Sequence, residues 1–403
     1  MELSVRLLSC TQLDDACTCA VLLPHTSEHN VTKHVAVVGT MKGGLYVFVI
    51  ASDVSPTMHC VHSSAITDGG GDCAAVTTIV LGDVFNDTEP LRHADNAVVS
   101  AIASNGMLYT YFVHAHSGAT QLCFRQRIIS NVCASFVSDI AHDGCKQLFV
   151  SLSDRVLRSY RFTTGSSPCL MPQAKWETPE QITALAHSDS PSYGTVLLSQ
   201  ISPHFVRLRW HRAKEGGSNV DPNTHPSTDG PPQSLSMAAV GLPLDEPAIA
   251  VETLTHEFKT RYNVNDAWDS CAFLPWACKS VRFYMNLATK LFLHEPGYPY
   301  IQLMLPDGYH VAYVNPLSLA VSRLLMVCDM TGHALFYWLV GSFKDHIEKA
   351  AIHPIAQAEL TQNLVTCEAT VDIPNARIHV LAATTDLNLL LYVIDIDTLL
   401  NMT

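Results

Sequence analysis

Two short segments of the chain carry oxygen-bearing side chains at a spacing that could bind calcium. One runs from Asp83 to Asp87 (DVFND), and the other runs from Asp139 through Asp143 to Gly144 (DIAHDG). In a calcium loop, oxygen ligands at positions 1, 3 and 5 converge on the ion, and glycine at position 6 allows a sharp bend. Asp83, Asp87, Asp139 and Asp143 are therefore the candidate metal ligands of this chain.

The third position of both segments is occupied by a side chain without oxygen. It is Phe85 in the first segment and Ala141 in the second, and the ninth position of the second is the neutral Gln147. A hard dication would be poorly coordinated by the oxygens that remain. We therefore predict degenerate, empty loops in which aspartate caps backbone amides and Gly144 supplies the special dihedral angle.

Motifs for catalysis are missing or misplaced. The chain has no G-x-S-x-G turn for a nucleophilic serine. The glycine-rich stretch from Gly39 to Gly44 lies in a predicted hairpin, whereas phosphate-binding loops precede a helix. The segment from Asp329 to Gly332 (DMTG) resembles an aspartic-protease turn, but no second aspartate is equally placed. We predict no catalytic residue and no cofactor, so the chain is not expected to be an enzyme.

The closest histidine pairs are also poor metal sites. They are His59 with His62 and His114 with His116, and neither pair has carboxylates at ligand spacing. We predict that these are surface or turn histidines.

A repeat organises the whole chain. Short apolar runs recur in groups of three, and the groups begin at Cys19, Thr77, Ala134, Ile182, Ser270, His310 and Leu364. β-Branched and aromatic residues fill the runs, and glycine, asparagine, aspartate and proline separate them, as is typical of strands. A period of roughly 40 to 50 residues with several strands per unit is typical of propeller blades. The sequence predicts one all-β domain over residues 1–403, a seven-bladed β-propeller of the WD40 or FG-GAP kind.

Each blade is expected to contain about four antiparallel strands. Gln121–Ile128 is an example of the more polar fourth strand, whereas the 245–300 region leaves open whether the fifth blade is complete. The last unit has three clear strands, so we expect Leu3–Leu8 to pair as its outer strand and close the ring. Ring closure removes two free strand edges.

Two segments interrupt the repeat. Residues 214–236 are rich in glycine, proline, serine and asparagine, and they predict a flexible insertion. Residues 341–363 carry Phe343, Ile347 and Ala350 at helical spacing before Pro354, and they predict a short helix or loop on the rim. The apolar stripe of this segment fits two roles, packing against the core or binding a partner, and the sequence leaves both open.

Composition restricts the class of partner. Of the 403 residues, 48% are hydrophobic and 15% are charged, which suits a large shared core. The net charge is −13 and the 24 basic residues are scattered, which disfavours nucleic-acid binding. No apolar run reaches the length of a membrane span, and the first residues do not predict a signal peptide. The chain has 13 cysteines, an odd number, and no two of them form a C-x-x-C pair. We therefore expect reduced thiols.

Several motifs carry a family resemblance, and the longest of them is Asp139–Phe162 (DIAHDGCKQLFVSLSDRVLRSYRF). The others, in matching order, are LGDVFNDT at 81–88, KW at 175–176, ITALA at 182–186, VLLSQ at 196–200, RLRWHRAKEG at 207–216 and ALFYWLV at 334–340. Together they resemble the integrin-alpha FG-GAP repeat-containing protein 2 family. The segment after Asn363 departs from the family, because a blade-like triplet stands where mostly helix is expected.

The resemblance implies a non-catalytic scaffold subunit of the KICSTOR complex. Its partners would be a large scaffold subunit and a second propeller subunit, and through them the GATOR complex, which promotes GTP hydrolysis by Rag GTPases. The implied location is the cytoplasm, peripherally at the lysosomal membrane, where the assembly restrains TOR kinase when amino acids or glucose are scarce. The alternative function is an integrin-type propeller that binds calcium or another ligand.

Overall fold

In the computed structural model, every element among the described residues is a β-strand. The described residues are 2–23, 26–28, 31–51, 57–67, 71, 73–85, 96–140, 144–164, 168–188, 195–200, 204–209, 249–253, 270–273, 283–286, 289–294, 301–318, 323–339, 351–372 and 376–397. Their strands form seven sheets, which we call blades 1 to 7 in chain order.

The first four blades follow strand β1 (Val5–Gln12), which belongs to blade 7. Blade 1 contains β2 (Cys17–Leu22), β3 (Thr26–Glu28), β4 (Val31–Thr40), β5 (Gly44–Ala51) and β6 (Thr57–Ala65). Blade 2 contains β7 (Val76–Leu81), β8 (Asn96–Ala103), β9 (Met107–His114) and β10 (Thr120–Arg127). Blade 3 contains β11 (Val132–Ser138), β12 (Gln147–Leu152), β13 (Val156–Thr163) and β14 (Cys169–Glu177). Blade 4 contains β15 (Ile182–Ser188), β16 (Thr195–Gln200), β17 (His204–Arg209) and β18 (Ile249–Thr253).

The remaining three blades complete the chain. Blade 5 contains β19 (Ser270–Phe273), β20 (Phe283–Asn286), β21 (Leu291–His294) and β22 (Ile301–Leu303). Blade 6 contains β23 (Val311–Ser318), β24 (Arg323–Asp329), β25 (His333–Trp338) and β27 (Ala356–Glu359), while β26 (Ala351–Ile352) is added to blade 5. Blade 7 contains β28 (Leu364–Asp372), β29 (Arg377–Thr384) and β30 (Asn388–Asp395), followed by β1.

Both faces of a blade are buried, because successive side chains of a strand point to opposite neighbours. In β4, Val35 and Val37 pack against blade 2, whereas Ala36 and Val38 pack against blade 7. This is why the strands are apolar on both faces instead of alternating between core and solvent.

The blades follow one another around a circuit. Separate apolar clusters join blades 1 and 2, 2 and 3, 3 and 4, 5 and 6, 6 and 7, and 7 and 1. Blades 4 and 5 meet through their first strands, β15 and β19. The prediction of an all-β, seven-bladed propeller is confirmed.

The two ends of the described chain meet in blade 7. Strand β1 pairs antiparallel with β30, from Val5 opposite Ile394 to Gln12 opposite Asn388. The predicted ring closure is therefore confirmed. The pairing strand is Val5–Gln12, a few residues later in the chain than the predicted Leu3–Leu8. The 245–300 region also contributes a sheet, since β19 to β22 form consecutive antiparallel pairs.

The predicted rim helix is not found in its described part, residues 351–363. There, Ala356–Glu359 forms a strand that pairs with β25, and Ala356 and Ala358 are buried while Gln357 and Glu359 are exposed. A burial period of two fits a strand, and Pro354 prevents helix from continuing into this segment. Residues 341–350 and the predicted insertion at 214–236 lie outside the described residues.

Candidate functional site

The two calcium-like segments use their first aspartate to hold the backbone. The Phe85 amide donates to Asp83 Oδ1 at 2.9 Å, and the Gly144 amide donates to Asp139 Oδ2 at 2.9 Å. Gly144 has a φ of 81°, the left-handed region that glycine tolerates. The predicted capping role of Asp83 and Asp139 is confirmed, while Asp87 and Asp143 lie outside the described residues.

Phe85 occupies the third position of the first loop, and its ring is turned into the protein. Its ring centroid is 4.8 Å from that of Phe162, 6.0 Å from Phe112 and 6.3 Å from Phe124. These rings belong to strands of blades 2 and 3, so Phe85 helps to join two blades. The residue that replaces a calcium ligand in sequence is thus a packing residue in the structure.

The Asp329 turn is also structural. Asp329 Oδ1 accepts hydrogen bonds from the Thr331 amide at 2.9 Å, the Thr331 hydroxyl at 2.7 Å and the His333 amide at 2.9 Å. A carboxylate engaged in this way stabilises the hairpin between β24 and β25. The resemblance to an aspartic-protease turn therefore reflects turn geometry.

The histidine pairs differ in their surroundings. His114 Nδ1 lies 3.3 Å from the Ser117 amide and 3.1 Å from its hydroxyl, so His114 ends β9 and contacts the turn that follows it. His59 and His62 both lie on β6, where His59 is exposed and His62 is half-buried. Among the described residues, no group of three or more potential metal ligands comes together.

Among the described residues, five blades have equivalent turns between their second and third strands, on one face of the ring. We call this face the turn face. Its turns are Met41-Lys42-Gly43, Ser104-Asn105-Gly106, Ser153-Asp154-Arg155, Met330-Thr331-Gly332 and Thr385-Asp386-Leu387. The third residue has a positive φ in every case: 82° at Gly43, 85° at Gly106, 67° at Arg155, 88° at Gly332 and 63° at Leu387. This is the usual geometry of a three-residue hairpin loop.

Backbone hydrogen bonds fix these turns to the connections between blades. The carbonyl of each third residue accepts a bond from the amide that follows the outer strand of the same blade. The pairs, listed donor first, are Ile66 with Gly43 (2.9 Å), Ile128 with Gly106 (2.8 Å), Thr178 with Arg155 (2.9 Å), Leu360 with Gly332 (2.8 Å) and Leu13 with Leu387 (2.7 Å). Because these polar groups are satisfied internally, the turn face offers mainly side chains for recognition.

Two methionines stand out on this face. Met41 and Met330 occupy the first position of their turns, on the two blades that flank blade 7, and they are 57% and 59% exposed. Methionine adapts its shape to a partner and is common on protein-binding surfaces.

Beside Met41, blade 1 has a cavity of about 490 Å³. Its polar lining includes Asp14, Asp15, Lys42, Tyr46, Ser63 and Ser64. Burial alone would raise the pKa of Asp15, but hydrogen bonds from the Lys42 amide, the Thr40 side chain and the Ala16 amide lower it overall. Burial and the charges of Asp14 and Asp15 raise the pKa of Tyr46. The cavity can accept polar side chains, and the sequence analysis did not find it because its walls come from separate strands and loops.

Comparison with known families supports this reading of the blades. Residues 62–251 match the model of the integrin-alpha FG-GAP repeat-containing protein 2 family. The match extends from the outer strand of blade 1 to the outer strand of blade 4, and it includes the turns of Asp83 and Asp139. The resemblance to the integrin-alpha FG-GAP repeat-containing protein 2 family is therefore confirmed over these residues. No curated protein sequence matches the chain.

Solved structures resemble the fold at low sequence identity. Raptor from Chaetomium thermophilum has a TM-score of 0.56 at 9% identity, and the match covers 98% of this chain but 29% of Raptor. BBS1N, in a crystal structure with ARL6DN, has a TM-score of 0.53 at 9% identity over 97% of this chain and 95% of BBS1N. These likenesses establish the fold alone. None of the described residues forms a helix with the length and apolar character of a membrane span.

Proposed function

We propose that this propeller is a non-catalytic scaffold subunit of a KICSTOR-like complex. In this role it helps to bring the GATOR complex to the lysosomal surface, and so restrains TOR kinase signalling when amino acids or glucose are scarce. Its direct partners are a very large scaffold subunit and a second propeller subunit. It is cytoplasmic and lies peripherally at the lysosomal membrane through these partners.

The match of residues 62–251 to the family model is the observation that carries the proposal. The structural role of three aspartates at turns agrees with a non-catalytic function. Asp83, Asp139 and Asp329 are engaged with backbone amides at turns, which is a structural role. BBS1N, which has a similar fold, was solved in complex with ARL6DN, and this is consistent with a binding role for such a fold.

The integrin-type alternative rests on the two aspartate loops. Binding of calcium in the first loop would require an oxygen at the position of Phe85, whose ring is packed between blades 2 and 3. Replacement of that contact by an ion would open the junction between the two blades. We therefore favour the scaffold role.

The test is affinity purification of the tagged full chain from fed and starved cells, followed by mass spectrometry. Co-recovery of a very large scaffold protein and a second propeller subunit is expected. A bait with Phe149→Asp is a matched control, because Phe149 is fully buried and a charge there should unfold the core and abolish specific capture. Recovery of the wild-type chain alone under mild lysis would contradict the proposal.

A further inference from the structure

The outer strands of blades 1 and 2, β6 and β10, carry exposed apolar residues. Val61 on β6 and Leu122 on β10 are each 46% exposed. Both strands are bulged at this point: Val61 is skipped in the pairing with β5, and Cys123, next to Leu122, is skipped in the pairing with β9. Bulges re-aim side chains and interrupt a strand edge, so these outer strands are suited to recognition through side chains.

Register shows that the exposed residues of β10 face blade 1. Leu122, Arg125 and Arg127 lie opposite Tyr111, Tyr109 and Met107, respectively. The side chains of these three partners pack in the apolar cluster between blades 1 and 2. Residues directly opposite each other in an antiparallel pair lie on the same face, so Leu122, Arg125 and Arg127 are directed toward blade 1.

The same argument places residues of β6 on the facing wall. His59, His62 and Ser64 lie opposite Val49, Val47 and Leu45, whose side chains pack toward blade 2. A Cβ atom built on Gly118 of blade 2 would lie 2.7 Å from Val61 Cγ2 and 2.6 Å from Val49 Cγ2, so Val61 also borders blade 2. At the base, the hydroxyls of Ser64 and Tyr111 are 3.3 Å apart. We call this surface the blade 1–2 groove.

The blade 1–2 groove is basic in an acidic protein. Neither β6 nor β10 contains an aspartate or glutamate, although the chain has 37 acidic residues and a net charge of −13. Arg125 and Arg127 are exposed, and each brings a guanidinium group with several hydrogen-bond donors to this surface. Burial lowers the pKa of His62, so at neutral pH the positive charge comes from the arginines.

We propose that the blade 1–2 groove binds an extended acidic segment of a partner protein, with a large apolar side chain between Val61 and Leu122 and carboxylates on Arg125 and Arg127. Charge complementarity selects an acidic occupant, and the apolar pair selects a segment that is not uniformly polar. A bilayer is the less suitable occupant because these arginines project toward the neighbouring blade, not outward from the ring. The proposal deepens the scaffold function and rests on it for the identity of the partner.

Binding is tested with purified full chain and three fluorescent peptides, measured by anisotropy. The first peptide alternates glutamate and leucine, the second has serine in place of leucine, and the third has lysine in place of glutamate. We expect only the first to bind, with weaker affinity when salt is raised from about 50 to about 300 mM. Equal binding of all three peptides, or no binding of the first, would overturn the proposal.

Variants locate the binding to the groove. Arg125→Glu with Arg127→Glu should weaken binding about tenfold or more, and Leu122→Ser should weaken it without changing the salt dependence. Arg6→Glu is the matched control, because Arg6 is an exposed arginine on the outer strand of blade 7, which forms neither wall of the groove, and its change should leave affinity intact. Melting curves establish that each variant is folded. Binding of anionic phospholipid vesicles with the same arginine dependence, in the absence of peptide binding, would contradict the proposal.

The same double arginine variant, used as bait in cells, separates the two proposals. If the wild-type chain recovers the large scaffold subunit and the double variant does not, both stand. If both baits recover it equally, the groove proposal fails while the scaffold function stands. Failure of the wild-type chain to recover it removes the scaffold function, whereas peptide binding to the groove remains measurable on its own.

Discussion

The backbone amide of Leu13 donates to the carbonyl oxygen of Leu387 at 2.7 Å, and this contact joins the two ends of the described chain across blade 7. It continues the pairing of β1 with β30, and it occupies the same place as the bond from Ile128 to Gly106 in blade 2. The blade that closes the ring thus has the same hydrogen bonds as the blades formed from one continuous segment.

Removal of β1 should destabilise the whole ring. Deletion of residues 1–10 leaves β30 with a free edge and removes Leu3, which is buried between blades 6 and 7. We expect the melting temperature to fall by about 5 °C or more, because a loss of several kcal/mol shifts the midpoint by that order. Differential scanning calorimetry checks this, with the exposed substitution Arg6→Ala as control. An unchanged midpoint for the deletion would argue against closure through β1.

Gly106 should tolerate alanine poorly. Its φ is 85°, and an added Cβ would lie 2.7 Å from the Ile129 carbonyl carbon. We expect Gly106→Ala to reduce the free energy of unfolding by roughly 2 to 3 kcal/mol, since backbone strain and steric conflict act together. Gly144→Ala is the matched control, because Gly144 has a φ of 81° and open space around it, so only the strain of about 1 kcal/mol remains. If chemical denaturation shows the same loss of unfolding free energy for both variants, the steric contribution at Gly106 is refuted.

Glu368 should make stability depend on pH. Burial raises its pKa to about 7, above the ordinary value for glutamate. The folded state therefore holds the proton more tightly than the unfolded state, and stability is lost as pH rises from about 4.5 to about 7. Glu368→Gln should stabilise the protein by roughly 2 kcal/mol at pH 8 and have little effect near pH 4.5. Denaturation at both pH values checks this, with the exposed Glu359→Gln as control; an equal effect at both pH values would contradict the assignment.

Phe85 should contribute to stability as a core residue. Phe85→Ala removes a ring that contacts Phe162 across the junction of blades 2 and 3, and we expect a loss of about 2 to 3 kcal/mol in the free energy of unfolding. Phe85→Leu should cost less, because much of the volume is kept. Urea denaturation of both variants is the measurement. A neutral alanine variant would show that the ring does not hold the blades together.

Calcium should leave stability unchanged. Asp83 and Asp139 already accept backbone hydrogen bonds, and Phe85 supplies no oxygen. A ligand that binds only the folded state raises the melting temperature, so about 1 mM calcium is a sensitive probe. We expect the same midpoint in calcium and in chelator. A rise of several degrees in calcium would favour the integrin-type alternative.

The sequence predicted the local elements well because each strand carries its own signal. The turn at Ser104-Asn105-Gly106 and the fourth strand near Gln121–Ile128 follow from residue types that lie within a few positions of each other. The segment before Glu359 was harder. Its alanines fit a helix and a strand equally well, and only pairing with β25 selects the strand.

The sequence by itself determined a ring of seven repeated β-sheets, because apolar runs and turn residues recur along the chain and each unit needs neighbours to cover its two faces. Tertiary structure decided which side chains share a surface. Val61 and Leu122 are far apart in sequence, and they face the same groove only because blades 1 and 2 pack side by side. The role of Phe85 was decided in the same way, since its neighbours come from three different strands. The spacing of apolar residues along a strand indicates which of its faces are buried. Which strand of another blade covers that face depends on how the blades pack.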